Sequence, residues 1–130
     1  GKLYSVPMYR MVAQRLNPGG KIVVQSTSPY FAPNAYWSVV ATLEAAGLRT
    51  APYHVYVPSF GEWGFVMADT AGDFRQPARI DVPTQFLTPP VLAQMFDFPN
   101  DMARRPVEAN YLNNQKLVAY FEQDWANVMR

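Results

Sequence analysis

Cysteine is absent from the 130 residues and histidine occurs once, which excludes several kinds of site. Without cysteine there is no disulfide, no thiolate zinc site and no cysteine nucleophile. A catalytic triad would have to include His54, the single histidine. The sequence shows neither an orienting partner nor a cleft for His54, so a structural role is the favoured interpretation.

Long apolar runs and blocks of like charge are missing as well. No run approaches the ~20 apolar residues of a membrane span, and no signal-peptide pattern opens the chain, so we expect a soluble protein. The 11 Lys and Arg nearly balance the 10 Asp and Glu, which indicates neither a nucleic acid nor an anionic membrane as partner. Phosphate-binding glycine loops and metal-ligand spacings do not occur either.

The chain does contain material for a packed core, since 49% of its residues are hydrophobic and 15% aromatic. This length corresponds to one domain or part of one. Helix and strand patterns alternate, which predicts an α/β fold. The predicted elements are a helix at 5–16, a strand at 21–26, a helix at 36–46, strands at 49–57 and 63–68, a short helix at 88–96 and a helix at 117–128.

Connections between these elements predict the sheet. The strand, helix and strand at 21–57 suggest a βαβ-like unit, and the short turn at 58–62 can join only antiparallel strands, so a mixed sheet is expected. Pro52 cannot donate to a ladder, so the first part of this strand should lie at an edge or be irregular. The last helix should dock through an apolar stripe, while its polar residues face elsewhere. The stripe is Leu117, Val118, Phe121, Trp125 and Val128, and the polar residues are Glu122, Gln123 and Asp124.

Two features could form a binding site. Gln25 closes the apolar strand 21–26, at the carboxyl end where open α/β sheets bind ligands, but a polar strand-end cap is an equal alternative. The segment 57–65 is rich in aromatic residues, proline and glycine, and could enclose an apolar slot that holds a cation through ring faces. A hairpin that merely packs its aromatic side chains is the alternative, with similar weight.

Four motifs, in order and spacing, match a pattern known from one family. They are Leu3-Tyr4-Ser5 with Met8-Tyr9, Leu16-Asn17-Pro18-Gly19-Gly20, Val24-Gln25-Ser26-Thr27-Ser28-Pro29 and the segment 57–65. Together they resemble the C-terminal half of spermidine synthases, the polyamine aminopropyltransferases. The resemblance covers about residues 2–68 and implies that 1–68 is the C-terminal half of the catalytic domain. Residues 69–130 would then be a loop-rich and helical extension, similar to that of longer bacterial members.

The resemblance implies a Rossmann-like, methyltransferase-type fold, with a mixed sheet that ends in an antiparallel hairpin and a helical tail. It also implies aminopropyl transfer from decarboxylated S-adenosylmethionine, as co-substrate, to a diamine such as putrescine, without metal or other cofactor. The donor loop and catalytic aspartate precede the Leu-Tyr-Ser motif in family members. We therefore expect no catalytic residue in this chain and no activity from it alone. The expected substrate-binding residues are Gln25, Phe60, Trp63, Ser26 and Tyr4.

Further expectations concern partners and location. We expect a small polyamine substrate, no nucleic acid, a homo-oligomer and a cytoplasmic location, with membrane contact only through a segment upstream in a longer parent protein. A noncatalytic ligand-binding or assembly module with the same fold is the main alternative. Half of a methyltransferase is a weaker one, because the 58–65 loop favours the aminopropyltransferases. Phe60 stands where many members have tyrosine, and the turn is two residues shorter than their common form.

Overall fold

The computed structural model describes residues 3–71 and 80–129, and its elements follow the predicted order. They are α1 (Val6–Arg15), β1 (Lys21–Ser26), α2 (Pro33–Ala45), β2 (Arg49–Val57), β3 (Gly61–Asp69), α3 (Pro89–Met95), the 3-10 turn Asn100–Met102 and α4 (Lys116–Val128). The helix α2 begins earlier than predicted, at Pro33, which a first helical turn tolerates because its N–H has no partner there. Within the predicted loop 69–90, residues 72–79 lie outside the described part of the chain.

The sheet has the strand order β1-β3-β2, and both neighbouring pairs are antiparallel. The α/β class, the antiparallel hairpin and the helical tail are as predicted. The strands β1 and β2 run in the same direction, but they do not pair, because β3 turns back from β2 and inserts between them. Among the described strands the sheet is therefore antiparallel rather than mixed. Pro52 lies in β2, which is an edge strand in this order, as predicted.

The core lies between α2 and one face of the sheet. Because α2 is apolar on nearly all sides, most of its side chains are buried. Its Trp37 indole donates a hydrogen bond to the Met102 carbonyl at 3.1 Å, and the ring packs beside Phe98. The 3-10 turn and the residues before it are thereby attached to α2. The cluster of buried core residues is Tyr9, Tyr36, Trp37, Val39, Val40, Leu43, Leu48, Val66 and Ala68.

The helix α4 docks on α2, but of its apolar stripe it is Leu117 that packs against the core. Val118, Phe121, Trp125 and Val128 are between 39% and 49% exposed, whereas Asp124 is 2% exposed. The carboxylate of Asp124 accepts hydrogen bonds from the start of α2. The prediction that Asp124 faces elsewhere is therefore wrong. Apolar periodicity cannot detect a buried carboxylate whose partners come from a distant helix.

No helix in 3–71 or 80–129 combines the length and the apolar character needed to cross a bilayer.

Candidate substrate-binding site

The register of the sheet brings Gln25 next to the hairpin. Gln25 of β1 pairs with Phe65 of β3, and Val55 of β2 pairs with Trp63 of β3. Side chains alternate along a strand, so Phe65 and Trp63 share one face, opposite to the face on which Val66 enters the core. Gln25, Phe65 and Trp63 thus lie on the same side of the sheet, the side away from α2.

On this side lies a cleft of about 280 Å³, lined by Gln25, Val57, Phe60, Trp63 and Phe65. We call it the hairpin cleft. Three of the five substrate-binding residues expected from the sequence line it: Gln25, Phe60 and Trp63. One amide among four apolar side chains suits an alkyl chain that carries an amine, because aromatic faces attract cations and the amide oxygen accepts hydrogen bonds.

The tight turn at the tip of the hairpin determines where Phe60 lies. Ser59 has φ 75° and Gly61 has φ 81°, and the Phe60 N–H donates to the Val57 carbonyl at 2.9 Å. Phe60 is 68% exposed, and its ring meets that of Trp63 edge to face at 6.4 Å. The turn therefore holds an exposed aromatic ring at the rim of the hairpin cleft, beside the more enclosed Trp63.

Gly64 brings β3 close to α2 and to the loop after β1. Its N–H donates to the Thr27 carbonyl at 2.9 Å. A Cβ at this position would lie 2.6 Å from the Thr27 oxygen and 2.6 Å from Tyr36 Cδ2, closer than real Cβ atoms approach such groups. Because glycine has no Cβ, the strand can approach this closely. Trp63 and Phe65, on either side of Gly64, are thereby placed near Gln25.

Tyr36 of α2 contacts the same strand from the core side of the sheet. Burial raises the pKa of the Tyr36 hydroxyl well above its usual value, so it remains a donor. The hydroxyl oxygen lies 2.9 Å from the Phe65 carbonyl oxygen and 3.3 Å from that of Tyr53. One side chain of α2 thus contacts both strands of the hairpin.

Tyr4 and Ser26, the other two expected residues, line a second cleft of about 410 Å³. Gln25 lines both clefts, so all five residues border one of two adjoining spaces. Ser26 is buried, and its hydroxyl donates to the Val24 carbonyl at 3.1 Å. The Ser26 hydroxyl proton is therefore engaged in a hydrogen bond within β1. The rest of the lining is apolar residues of α2 and α4 together with two polar residues: Ala35, Val39, Leu117, Val118, Phe121, Thr27 and Glu122.

His54 lies on the opposite face of the hairpin from the hairpin cleft. Its Nδ1 is 2.8 Å from Glu62 Oε2, its Nε2 is 2.5 Å from the Asp97 carbonyl oxygen, and its ring packs on Phe98 at 4.6 Å. Glu62 is an orienting partner that sequence reasoning did not identify. Both ring nitrogens are directed at protein oxygens, which favours the structural role expected for His54.

Sequence reasoning did not single out Val57 and Phe65 as site residues, although both lie in the segment 57–65. Strand alternation from Trp63 could have found Phe65. Nothing local could have found the role of Gly64, because the groups that approach it come from α2 and from the loop after β1. No group of three potential ligands among the described residues is arranged to hold a metal ion.

The fold and the two clefts define an α/β protein with an aromatic-walled cleft at the end of a strand. Curated relatives identify its family. Polyamine aminopropyltransferase 2 of Ralstonia nicotianae is 56% identical over 100% of this chain, which covers 26% of that protein. The polyamine aminopropyltransferase of Leptospira interrogans is 42% identical over 99% of the chain, again 26% of the relative. That of Mycobacterium tuberculosis is 38% identical over 96% of the chain, 24% of the relative.

The chain therefore belongs to the polyamine aminopropyltransferase family. It spans about a quarter of the length of these relatives. No protein-family profile matches it.

Proposed function

We propose that this chain forms the acceptor-side wall of an aminopropyltransferase, as the C-terminal part of its catalytic domain. The enzyme would transfer the aminopropyl group of decarboxylated S-adenosylmethionine to a diamine such as putrescine. The observation that carries the proposal is that Gln25 lines one cleft with Phe60 and Trp63, which are distant from it in sequence. The names of the relatives agree with the same reaction.

The proposed reaction is a displacement at carbon. The lone pair of a neutral amine forms a bond to the aminopropyl carbon next to the sulfonium sulfur. The carbon–sulfur bond breaks, its electron pair stays on sulfur, and the neutral thioether leaves. The new ammonium group passes a proton to a base. An aromatic wall that holds the methylene chain and excludes water would assist the attack by positioning the amine.

Four of the five residues that line the hairpin cleft then have a role. The rings of Phe60, Trp63 and Phe65 would contact the methylene chain and attract an ammonium group through their faces. The Gln25 amide oxygen would accept a hydrogen bond from an amine. No carboxylate lines this cleft among the described residues, and Glu122 lines the second cleft; we propose that the base comes from the rest of a complete enzyme. On this proposal the 130-residue chain is inactive alone.

Activity measurements test the proposal directly. We expect no aminopropyl transfer from decarboxylated S-adenosylmethionine to putrescine by the 130-residue chain, and transfer by a longer parent polypeptide that contains it. Turnover by the chain alone, above the rate without enzyme, would disprove the proposal that the base and the donor loop lie outside these 130 residues. Absence of transfer by a longer, folded parent, with diamine binding retained, would favour a noncatalytic ligand-binding module.

Variants of the cleft test the assignment of its residues. In an active parent, Gln25→Ala and Trp63→Ala should each lower kcat/KM for the acceptor by about 1–3 kcal/mol in free energy, the range for a lost buried hydrogen bond or aromatic wall. Tyr56→Ala is the matched control, since Tyr56 is an exposed aromatic residue of the same hairpin outside this cleft. An equal loss of donor affinity would show that Gln25 and Trp63 contact the nucleotide instead.

The remaining parts of the proposal rest on the family resemblance. We propose that the only co-substrate is decarboxylated S-adenosylmethionine, that no metal takes part, and that the reaction occurs in the cytoplasm. We also propose that the protein is a homo-oligomer. Any membrane contact would come from a segment of a longer parent outside these 130 residues.

A further inference from the structure

The start of α2 is capped by a residue of another helix. The N-cap residue of α2 is Ala32, whose methyl group cannot accept a hydrogen bond from the helix N–H groups. Instead, the Ala35 N–H donates to Asp124 Oδ2 of α4 at 2.9 Å, across 89 residues of sequence. The Asn34 side-chain amide donates to Asp124 Oδ1 at 2.8 Å. A carboxylate at a helix N-terminus is favourable because it accepts from free N–H groups and opposes the positive end of the helix dipole.

Burial makes this contact specific. Asp124 is 2% exposed, and a carboxylate removed from water is costly unless its oxygens are hydrogen bonded. The two hydrogen bonds from Asn34 and Ala35 meet this requirement in one relative position of the two helices. A displacement of α2 relative to α4 would leave a buried charge without partners. Asp124 therefore holds the first turn of α2 in place as well as stabilising it.

The first turn of α2 in turn contacts β3, the strand that carries Trp63 and Phe65. Tyr36 directly follows Ala35, and its hydroxyl bonds to the Phe65 carbonyl at 2.9 Å. Its ring also fills the space that a Cβ on Gly64 would need. Gly64 lies between Trp63 and Phe65, which line the cleft. The connection from Asp124 to β3 thus passes through the adjacent residues Ala35 and Tyr36 and then through the buried Tyr36 side chain.

We infer that Asp124 is a positioning residue for the hairpin cleft, through which α4 fixes the position of β3, and with it Trp63 and Phe65, relative to α2. Asp124 lines neither the hairpin cleft nor the second cleft, so it would act only through α2. The consequence for acceptor binding rests on the proposed function. The geometric part of the inference does not, because it concerns only the position of β3.

Nuclear magnetic resonance of the 130-residue chain tests the geometric part. The probes are the indole N–H of Trp63 and the backbone N–H groups of Gly64 and Phe65. In spectra recorded well below the melting temperature, Asp124→Ala should shift all three signals. Gln123→Ala, at the exposed neighbouring position of α4, is the matched control and should shift none of them.

Two milder variants, Asp124→Asn and Asn34→Ala, keep the test decisive if Asp124→Ala does not fold. Asp124→Asn retains an oxygen for the Ala35 N–H, and the Asn34 amide can turn to accept from the new amide, giving up only the long 3.5 Å contact from Arg105, so the three signals should stay near their original positions. Asn34→Ala removes one of the two bonds and should move the signals in the same direction as Asp124→Ala, but less. Lower melting temperatures with unmoved signals in Asn34→Ala and Asp124→Ala would show that Asp124 only stabilises the fold.

Kinetics of an active parent polypeptide test the functional part. Asp124→Ala should raise the KM of the diamine by about tenfold and leave the KM of the donor unchanged, while Asp124→Asn should restore most of the acceptor affinity. A purely structural loss would lower the apparent kcat through less folded enzyme and leave both KM values alone, which would overturn the inference. If no variant or parent shows transfer, the proposed function fails, but the resonance test of Asp124 still stands.

Discussion

The replacement of Gly64 by alanine tests how closely β3 must approach α2. A Cβ at this position would lie 2.6 Å from the Thr27 carbonyl oxygen and 2.6 Å from Tyr36 Cδ2. Both neighbours are constrained, because Tyr36 is 0% exposed and the Thr27 oxygen accepts the Gly64 N–H. Relief of the overlap therefore requires movement of a core side chain or of backbone.

The expected cost follows from these two contacts. Overpacking of a core costs typically about 1–3 kcal/mol, and two rigid neighbours favour the upper end of that range. Replacement of glycine recovers roughly 0.5–1 kcal/mol, because alanine has less conformational entropy to lose on folding. We expect the free energy of unfolding to fall by about 2 kcal/mol, a large share of the ~5–15 kcal/mol typical of a domain.

Urea unfolding at low protein concentration, monitored by tryptophan fluorescence, measures this change. Gly47→Ala is the control, because Gly47 has φ 92° and nothing within 4 Å of an added Cβ, so it reports backbone strain without steric overlap. We expect Gly47→Ala to cost about 1 kcal/mol. If Gly64→Ala costs less than the control or stays within about 0.5 kcal/mol of the parent chain, the Tyr36 ring yields easily and Gly64 does not determine the position of β3.

Three further predictions concern stability and association. The free edge of β1 has no partner strand among the described residues, so the chain should self-associate, and Val23→Lys should weaken this in sedimentation experiments. Asp69→Ala should lower the free energy of unfolding by about 2 kcal/mol, because Asp69 is 1% exposed and binds Lys21 at 2.9 Å. The hydrogen bond from Arg104 lowers the pKa of Glu44, so Glu44→Gln should lower the free energy of unfolding at pH 7. Because both side chains are exposed, this cost should not exceed about 0.5 kcal/mol.

Controls separate each of these effects from general damage. Met11→Lys adds the same charge at an exposed site on α1 and should leave self-association unchanged; a clean monomer in the parent chain would contradict the prediction. The stabilisation by Glu44 is present above its ordinary pKa of 4.5 and is lost as the pH falls through the lower folded value, so the cost of Glu44→Gln should vanish in acid. A cost of Asp69→Ala below about 0.5 kcal/mol would mean that burial of this charge brings no net gain.

Local signals in the sequence were sufficient for the elements themselves. Ser5 accepts from the Met8 N–H at 3.4 Å as the N-cap of α1, and Thr88 accepts from the Val91 N–H at 3.4 Å at the start of α3. Gly47, with φ 92°, follows the end of α2. Such caps and stops act within a few residues, so they can be identified without knowledge of the fold. The edge position of Pro52 was predictable for the same kind of reason, a missing donor.

What the sequence determined by itself is the alternation of helices and strands, a tight hairpin turn within 58–62 and the composition of an aromatic wall with one nearby amide. Only the tertiary structure decided that β3 lies between β1 and β2, which sets Gln25 beside Phe65. It alone decided that Asp124 caps α2 and that Gly64 admits the Tyr36 ring. The physical reason is that these contacts join groups far apart in the chain, so no local pattern of hydrophobicity or turn residues can specify them.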